Sequence, residues 1–165
     1  MINNKSKNYI DLKNLILSED FPWFLGKNDF DNFYFLSHPF LTRPESGLRF
    51  PTATSDYIDL AHQVFMEICE DNNVTVDCIY RMGANMVFPS ANSDLASNAH
   101  VDHMFDHHNM LIYLTDSGGS TIVGEHKYPA VEDGVLVFDG ETHCHELPKL
   151  NRRVVFVATF LGAVE

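Results

Sequence analysis

Basic side chains are scarce in this sequence: 11 Lys and Arg stand against 23 Asp and Glu, a formal net charge of −12. The averaged field repels phosphate backbones and anionic lipid, so neither nucleic acid nor a membrane surface is expected as a partner. A small molecule, an amino acid or a peptide, basic or neutral, suits such a surface better. Cysteine is scarce too. Cys69, Cys78 and Cys144 form an odd set with no C-x-x-C pair, which fits reduced thiols and a cytoplasmic location rather than a disulfide framework. Long apolar runs are absent, since none approaches the roughly 20 residues needed to span a bilayer. Met1 to Lys7 lacks the apolar stretch of a signal peptide. Internal repeats and low-complexity tracts are missing as well.

What is present is one core's worth of large side chains. The 165 residues are 45% hydrophobic, with 13 Phe and 6 Tyr, enough for a single domain over 1–165 without covalent staples. The first ten residues are polar enough to be expected as a mobile end. A helix is expected after Ser55, where Ile58, Ala61, Phe65 and Ile68 keep the spacing of a buried stripe and Asp71-Asn72-Asn73 supplies the stop. Beyond it, Val76, Cys78, Tyr80 and Met82 alternate with more polar residues, the period-two pattern of a strand with unlike faces. Short β-branched or aromatic runs follow at Met110 to Thr115, Thr121 to Gly124, Val135 to Phe138 and Val154 to Phe160, separated by Gly118-Gly119, Asp133-Gly134 and Asp139-Gly140. Strand after strand without intervening helices predicts antiparallel pairing, a mainly β sandwich or jelly roll with flanking helices.

Seven of the nine histidines fall between His100 and His145, the usual trace of a metal site. His100-Val101-Asp102 is the most informative piece. Residues i and i+2 of a strand share a face, so an imidazole and a carboxylate can take neighbouring positions on one ion. A third ligand at His143, 41 positions after Asp102, can return from across a barrel. Two His and one carboxylate on one side of an octahedron leave open positions, which favours non-haem Fe(II).

The order of parts resembles the prolyl 4-hydroxylase-like group of 2-oxoglutarate and Fe(II)-dependent oxygenases, in their short stand-alone form. The segments that carry it are Ala99-His100-Val101-Asp102, Met110 to Asp116, Gly119-Ser120-Thr121, Asp133 to Gly140, His143 and Arg153-Val154-Val155-Phe156, within residues 76–161. Phe21-Pro22-Trp23 and Arg81 to Met86 are similar to segments of those short proteins, less specifically. The resemblance implies a double-stranded β-helix in which His100, Asp102 and His143 bind Fe(II). It implies 2-oxoglutarate and O2 as co-substrates, and a distal carboxylate gripped by an Arg about ten positions after the last His. That register falls on Arg153, not Arg152. It also implies hydroxylation, since related halogenases lack the carboxylate.

Thr142-His143-Cys144-His145 puts two histidines on one strand face, and His145 remains open as the alternative ligand. Tyr113 and Asn85 are candidates to hydrogen-bond 2-oxoglutarate, against plain core packing for a Tyr in an apolar run. His103, Asp106, His107 and His108 read as a polar loop between strands. His38, His62 and His126 read as surface or hydrogen-bonded core histidines, and Cys144 as a small filler. The segment from Val87 to Asn98 is expected to border the substrate entrance. Two rival readings stand beside the oxygenase: a cupin-like Zn(II) or Ni(II) binder without turnover, and a degenerate oxygenase serving as a binding module.

Overall fold

The computed structural model describes residues 1–2, 5–28, 33–43, 50–89 and 96–164. In chain order the elements are α1 (Lys7–Leu17), β1 (Phe24–Asn28), β2 (Phe33–Thr42), β3 (Thr52–Ala53), α2 (Ile58–Asp71), β4 (Val74–Val87), β5 (His108–Tyr113), β6 (Ser120–Val123), β7 (His126–Pro129), β8 (Val135–Asp139), β9 (His143–His145) and β10 (Arg153–Val164). Two antiparallel sheets form. The larger runs β1-β2-β4-β10-β5-β8 with β3 on the flank of β2, and the smaller runs β7-β6-β9. This is the mainly β, jelly-roll architecture that the succession of short strands predicts.

Strand β10 shows how one sequence serves both sides of the large sheet. Val154, Phe156, Ala158 and Phe160 join the main core with Met82, Ala84, Met86, Met110 and Ile112, under Phe65 and Ile68 of α2 and Leu12 and Ile16 of α1. The alternate residues turn to the concave side between the sheets, where Val155 and Val157 pack with Leu111, Tyr113, Val123, Leu136 and Phe138. Both faces of the strand are therefore buried, and the run reads as continuously apolar rather than alternating.

Two β-bulges correct the expected pattern of β4. Its pairing with β10 shifts register between Thr159 and Phe160 and again between Leu161 and Gly162, so that Tyr80 and Asp77 have no partner in the ladder. Each inserted residue sends the side chains beyond it to the other face. Val76 and Ile79 thus pack on the main core, Cys78 is exposed, and Val76, Cys78, Tyr80 and Met82 do not share a face. At the second bulge a side chain on Gly162 would begin 1.9 Å from the Thr75 carbonyl oxygen, so the close approach requires glycine.

At the N-terminal end, the described polar residues make defined contacts. Ser6 caps α1 by accepting from the Tyr9 backbone N–H at 3.0 Å, and Ile2 donates its backbone N–H to the Asp133 carbonyl at 2.9 Å. The Asp133 carboxylate receives Tyr9 Oη at 2.5 Å, Lys13 Nζ at 2.6 Å and Lys5. The polar character that suggests a loose end is used in this cluster, which ties α1 to the turn before β8. The second helix starts after Ser55 as expected, with Ala61, Val64, Phe65 and Ile68 buried, and it stops at Asn72 with Asn73 in the left-handed region at φ 54°. No helix among the described residues is long and apolar enough to cross a membrane.

Candidate metal centre

His100, Asp102 and His143 come together at one end of the concave side, where their candidate ligand atoms all lie within 4.8 Å of one another. His100 stands outside the named strands, pairing with His143 of β9 in an isolated antiparallel bridge through hydrogen bonds of 3.0 and 2.9 Å. A single bridge, rather than the strand expected for H-x-D, brings the two imidazoles to 4.5 Å between ring centres. Asp102 Oδ2 lies 3.4 Å from His143 Nε2, and these two side chains are 6% and 11% exposed.

The tautomers are set by carbonyls. His100 Nδ1 donates to Asn98 O at 3.1 Å and His143 Nδ1 donates to Glu141 O at 2.9 Å, so each Nε2 keeps its lone pair for an ion. Burial pushes the His143 pKa down, against the Glu141 carbonyl and Asp102, which raise it. Burial pushes Asp102 up, but Arg81, His143, Arg43 and His100 together hold its carboxyl below the usual range. A neutral His143 imidazole and an ionised Asp102 carboxylate are protonation states that suit a divalent cation.

His145 does not join this group. It faces the same concave side two residues on, but its Nδ1 meets Ser97 Oγ at 3.0 Å and its backbone N–H donates to the same oxygen at 3.0 Å. Burial, then Arg153, His100 and His143, lower its pKa to about 3, which keeps it neutral. Cys144 points to the opposite side of β9. The segment expected to border the entrance is described only up to 89 and from 96, residues 90–95 lying outside the described residues. Its far end runs beside β9, where Ala96 bridges Glu146.

Arg153 opens β10 with its side chain on the concave face and only 5% of the residue exposed. Its Nη2 donates to Thr121 Oγ1 at 3.1 Å, and the guanidinium lies 5.6 Å from the Tyr113 ring centre. Tyr113 Oη shares the same Thr121 oxygen at 2.7 Å. The Arg153 Nε is buried with no hydrogen-bond partner among the described residues. Burial lowers the Arg153 pKa, against the Tyr113 phenol, which raises it, and among the described residues no carboxylate pairs with it. A buried guanidinium with neutral described neighbours keeps donor capacity that an anion can use. Asn85 lies on the concave face between Ser37 and Val155 of the neighbouring strands, outside the Arg153-Thr121-Tyr113 cluster. Arg152 takes the opposite face, but it is half-buried rather than free, donating to Leu17 O at 3.2 Å at the end of α1. Thr121 is a residue that sequence reasoning missed. Its signal is the register of β6 on β9, which sets it opposite His145.

His103, His107 and His108 lie in and after the segment that follows Asp102. His103 Nε2 meets Thr159 Oγ1 at 2.8 Å, and its ring stacks on Phe105 at 4.7 Å and 18°. Its pKa is lowered to about 4, first by burial and then by Arg43, His107 and Arg81. His107 is buried against Gly140, where a Cβ would approach its ring to 2.4 Å. Its Nδ1 donates to Phe105 O at 2.7 Å. His108 corrects the loop reading: it begins β5, with Nδ1 2.9 Å from the Asp139 carboxylate in a contact not aligned as a hydrogen bond. A cavity of about 370 Å³ opens beside these residues, between Phe105, His107, His108 and Glu141. His38 is a core histidine, bonded to Pro22 O and Ser55 Oγ, each at 2.8 Å.

Two arginines at the centre carried no signal of their role in the sequence. Arg43 Nη2 reaches Asp102 Oδ1 at 3.0 Å and Arg81 Nη1 reaches the same oxygen at 3.1 Å, on the side away from His143.

No protein-family model matches the sequence, and no curated protein does. Solved structures do resemble the fold. An oxidoreductase of the 2OG-Fe(II) oxygenase family from Burkholderia pseudomallei superposes with a TM-score of 0.65 at 11% identity, over 92% of this chain and 76% of that one. A prolyl hydroxylase from Trichoplax adhaerens, solved with a hypoxia inducible factor peptide fragment, gives 0.56 at 13% identity over 92% and 76%. A predicted oxalate decarboxylase from Thermotoga maritima gives 0.50 at 11% identity over 84% and 91%. The chain thus has the double-stranded β-helix fold shared by 2-oxoglutarate/Fe(II) oxygenases and cupins, and carries a His-Asp-His cluster of metal-binding geometry within it.

Proposed function

We propose that this protein is an Fe(II)- and 2-oxoglutarate-dependent dioxygenase that hydroxylates an unactivated C–H bond, with His100, Asp102 and His143 holding the metal. The observation that supports the reading is Arg153: a buried guanidinium bonded to a hydroxyl, with no ion pair to a carboxylate among the described residues, on the same concave face as the metal cluster. The donor set fits the group, since two imidazole nitrogens and one carboxylate are the ligand types that would hold Fe(II) and let it supply oxidative chemistry. When bound, iron and 2-oxoglutarate supply the oxidising chemistry, with succinate and CO2 leaving as the substrate is hydroxylated.

The chain's own residues bind and orient. Arg153 offers a planar two-bond grip to the far carboxylate of 2-oxoglutarate, and Thr121 with Tyr113 fixes the guanidinium for it. Tyr113 and Asn85 stand on the same concave face as further hydrogen-bonding groups for the co-substrate. Leu111, Val155, Val157 and Phe138 pack together as a buried apolar cluster on the same face, which would help to exclude water.

A cupin-like metal binder without turnover is the second reading, since the fold likeness extends beyond oxygenases to the Thermotoga protein. Anaerobic addition of Fe(II) and 2-oxoglutarate separates the two. The oxygenase reading expects a weak visible charge-transfer band, and succinate on admitting O2; metal binding with neither would leave the cupin reading standing.

A further inference from the structure

Acidic side chains gather beside the metal cluster without counter-charges. Asp106 and Glu141 are exposed, and among the described residues neither carboxylate has a hydrogen bond or an ion pair. The Asp139 carboxylate, at the end of β8, contacts His108 Nδ1 at 2.9 Å. All three residues line the cavity of about 370 Å³, and among the described residues no Lys or Arg lines it. A concave wall of one sign focuses its field on whatever enters, and the net charge of −12 adds to that field.

The rest of the lining narrows the kind of cation. Phe105, with His103 stacked on it, keeps 48% of its surface exposed, and Leu161 adds an apolar side chain on the same wall. An aromatic ring attracts a cation, and an aliphatic side chain packs along an alkyl stem. His107 points to a ligand independently of the carboxylates. It is 5% exposed and lines the same cavity; with Nδ1 donating to the Phe105 carbonyl, its Nε2 is left as an acceptor, buried and without a hydrogen-bond partner. An unmet buried acceptor costs free energy that an N–H donor recovers. A bare metal ion fits less well. Among the described residues the groups near enough to share one ion are His100, Asp102 and His143, and no acid or imidazole of the cavity joins such a set. A space of this volume suits a small organic molecule.

The cavity adjoins the metal cluster through its own lining. The Glu141 carbonyl accepts from His143 Nδ1 at 2.9 Å, and the His107 ring lies 4.8 Å from that of His103, the residue after Asp102. We propose that this cavity holds the cationic head of the substrate, an alkylammonium or alkylguanidinium group, with Asp106, Asp139 and Glu141 as its counter-charges, the Phe105 ring against it and its alkyl chain along Leu161. The inference rests on the dioxygenase reading for the word substrate; the cation site stands without it.

The test uses the whole protein loaded with Fe(II) and 2-oxoglutarate under anaerobic conditions. Butylguanidinium, pentylammonium and neutral 1-pentanol are titrated by calorimetry, with metal content measured in every sample. At least one cation is expected to bind, and 1-pentanol at least tenfold more weakly. The double variant Asp106→Asn/Glu141→Gln should weaken the cation roughly five- to twentyfold, as two partly exposed ion pairs do near the upper end of their range. Phe105→Leu should weaken it about threefold through the lost ring. Glu19→Gln/Asp20→Asn removes the same charge at the other end of β10, just past Leu17, whose carbonyl Arg152 holds, and should leave the affinity within about twofold. Binding of one cation alone supports the proposal and selects the head group. Equal affinity for 1-pentanol overturns it, as does a lack of binding by either cation. Affinity unchanged in Asp106→Asn/Glu141→Gln overturns it, and so does an equal loss in the two double variants, which would assign the effect to net charge rather than to the cavity. Failure of 2-oxoglutarate to bind counts against the dioxygenase reading alone, and the cation titration is then repeated on protein holding Fe(II) only.

Discussion

Replacing Arg153 with Met should move stability and co-substrate affinity in opposite directions. The guanidinium is 5% exposed, bonded through Nη2 to a neutral hydroxyl, and its Nε has no partner. Taking a cation out of water costs several kcal/mol. One hydrogen bond of about 1.5 to 3 kcal/mol and a ring contact of about 0.5 to 2 kcal/mol do not fully offset that cost. Arg153→Met, of similar length, should therefore unfold at higher urea when no ligand is present, by about 1 to 4 kcal/mol, the range seen when buried charges give way to apolar side chains. Affinity should fall instead. Losing a charge-assisted grip worth about 1.5 to 5 kcal/mol weakens 2-oxoglutarate roughly ten- to several-thousand-fold, at about 1.4 kcal/mol per tenfold. At 100 times the parent's Kd, 2-oxoglutarate should then stabilise the parent by about 2.7 kcal/mol and the variant by at most about 1.4 kcal/mol. Urea unfolding of both proteins, with Fe(II) and with or without 2-oxoglutarate under anaerobic conditions, reads both effects. A variant that is less stable than its parent without ligand, yet gains as much from 2-oxoglutarate, would refute the argument. Arg152→Gln is the control: it should lose about 1 kcal/mol of stability with its bond to Leu17 O and leave the titration unchanged.

Further outcomes follow from the same geometry. His100→Ala and Asp102→Ala should each remain folded, by circular dichroism, and lose Fe(II) in equilibrium dialysis; retained stoichiometric iron in either would sink the metal assignment. His143→Ala should abolish the anaerobic visible band while His145→Ala only weakens activity, and the reverse pattern would move the ligand to His145. Asp133 gives a pH dependence: burial raises its pKa, but hydrogen bonds from Lys13, Lys5 and Tyr9 outweigh this and bring it to about 2. Because the folded value lies below the unfolded one, its contribution of roughly 1 to 2 kcal/mol is complete above about pH 4 and disappears as the pH falls through about 2. Thermal melts between pH 2 and 6 should show this loss in the parent and not in Asp133→Asn.

Local chemistry in the sequence determined more of the site's ingredients than of its surroundings. The H-x-D pair, the distant His143 and the step of ten to Arg153 are spacings along the chain, and strand parity alone assigns Arg152 and Arg153 to opposite faces. Turn residues and β-branched runs likewise mark β5, β6, β8 and β10, because those preferences act between near neighbours. Contacts between distant segments decided the rest. Two bulges in β4, visible only in its pairing with β10, send Cys78 outward and leave Tyr80 and Asp77 without ladder partners. Asp102 meets Arg43 from 59 positions away and Arg81 from 21, and Asp133 gathers Tyr9 from 124 away. The choice of His143 over His145 in the cluster depends on the bridge to His100 and on Ser97 engaging the other ring. An ion pair between remote strands depends on the register of every strand between them, and a one-residue slip reverses each side chain. Composition records that the charges exist; the fold decides which of them meet.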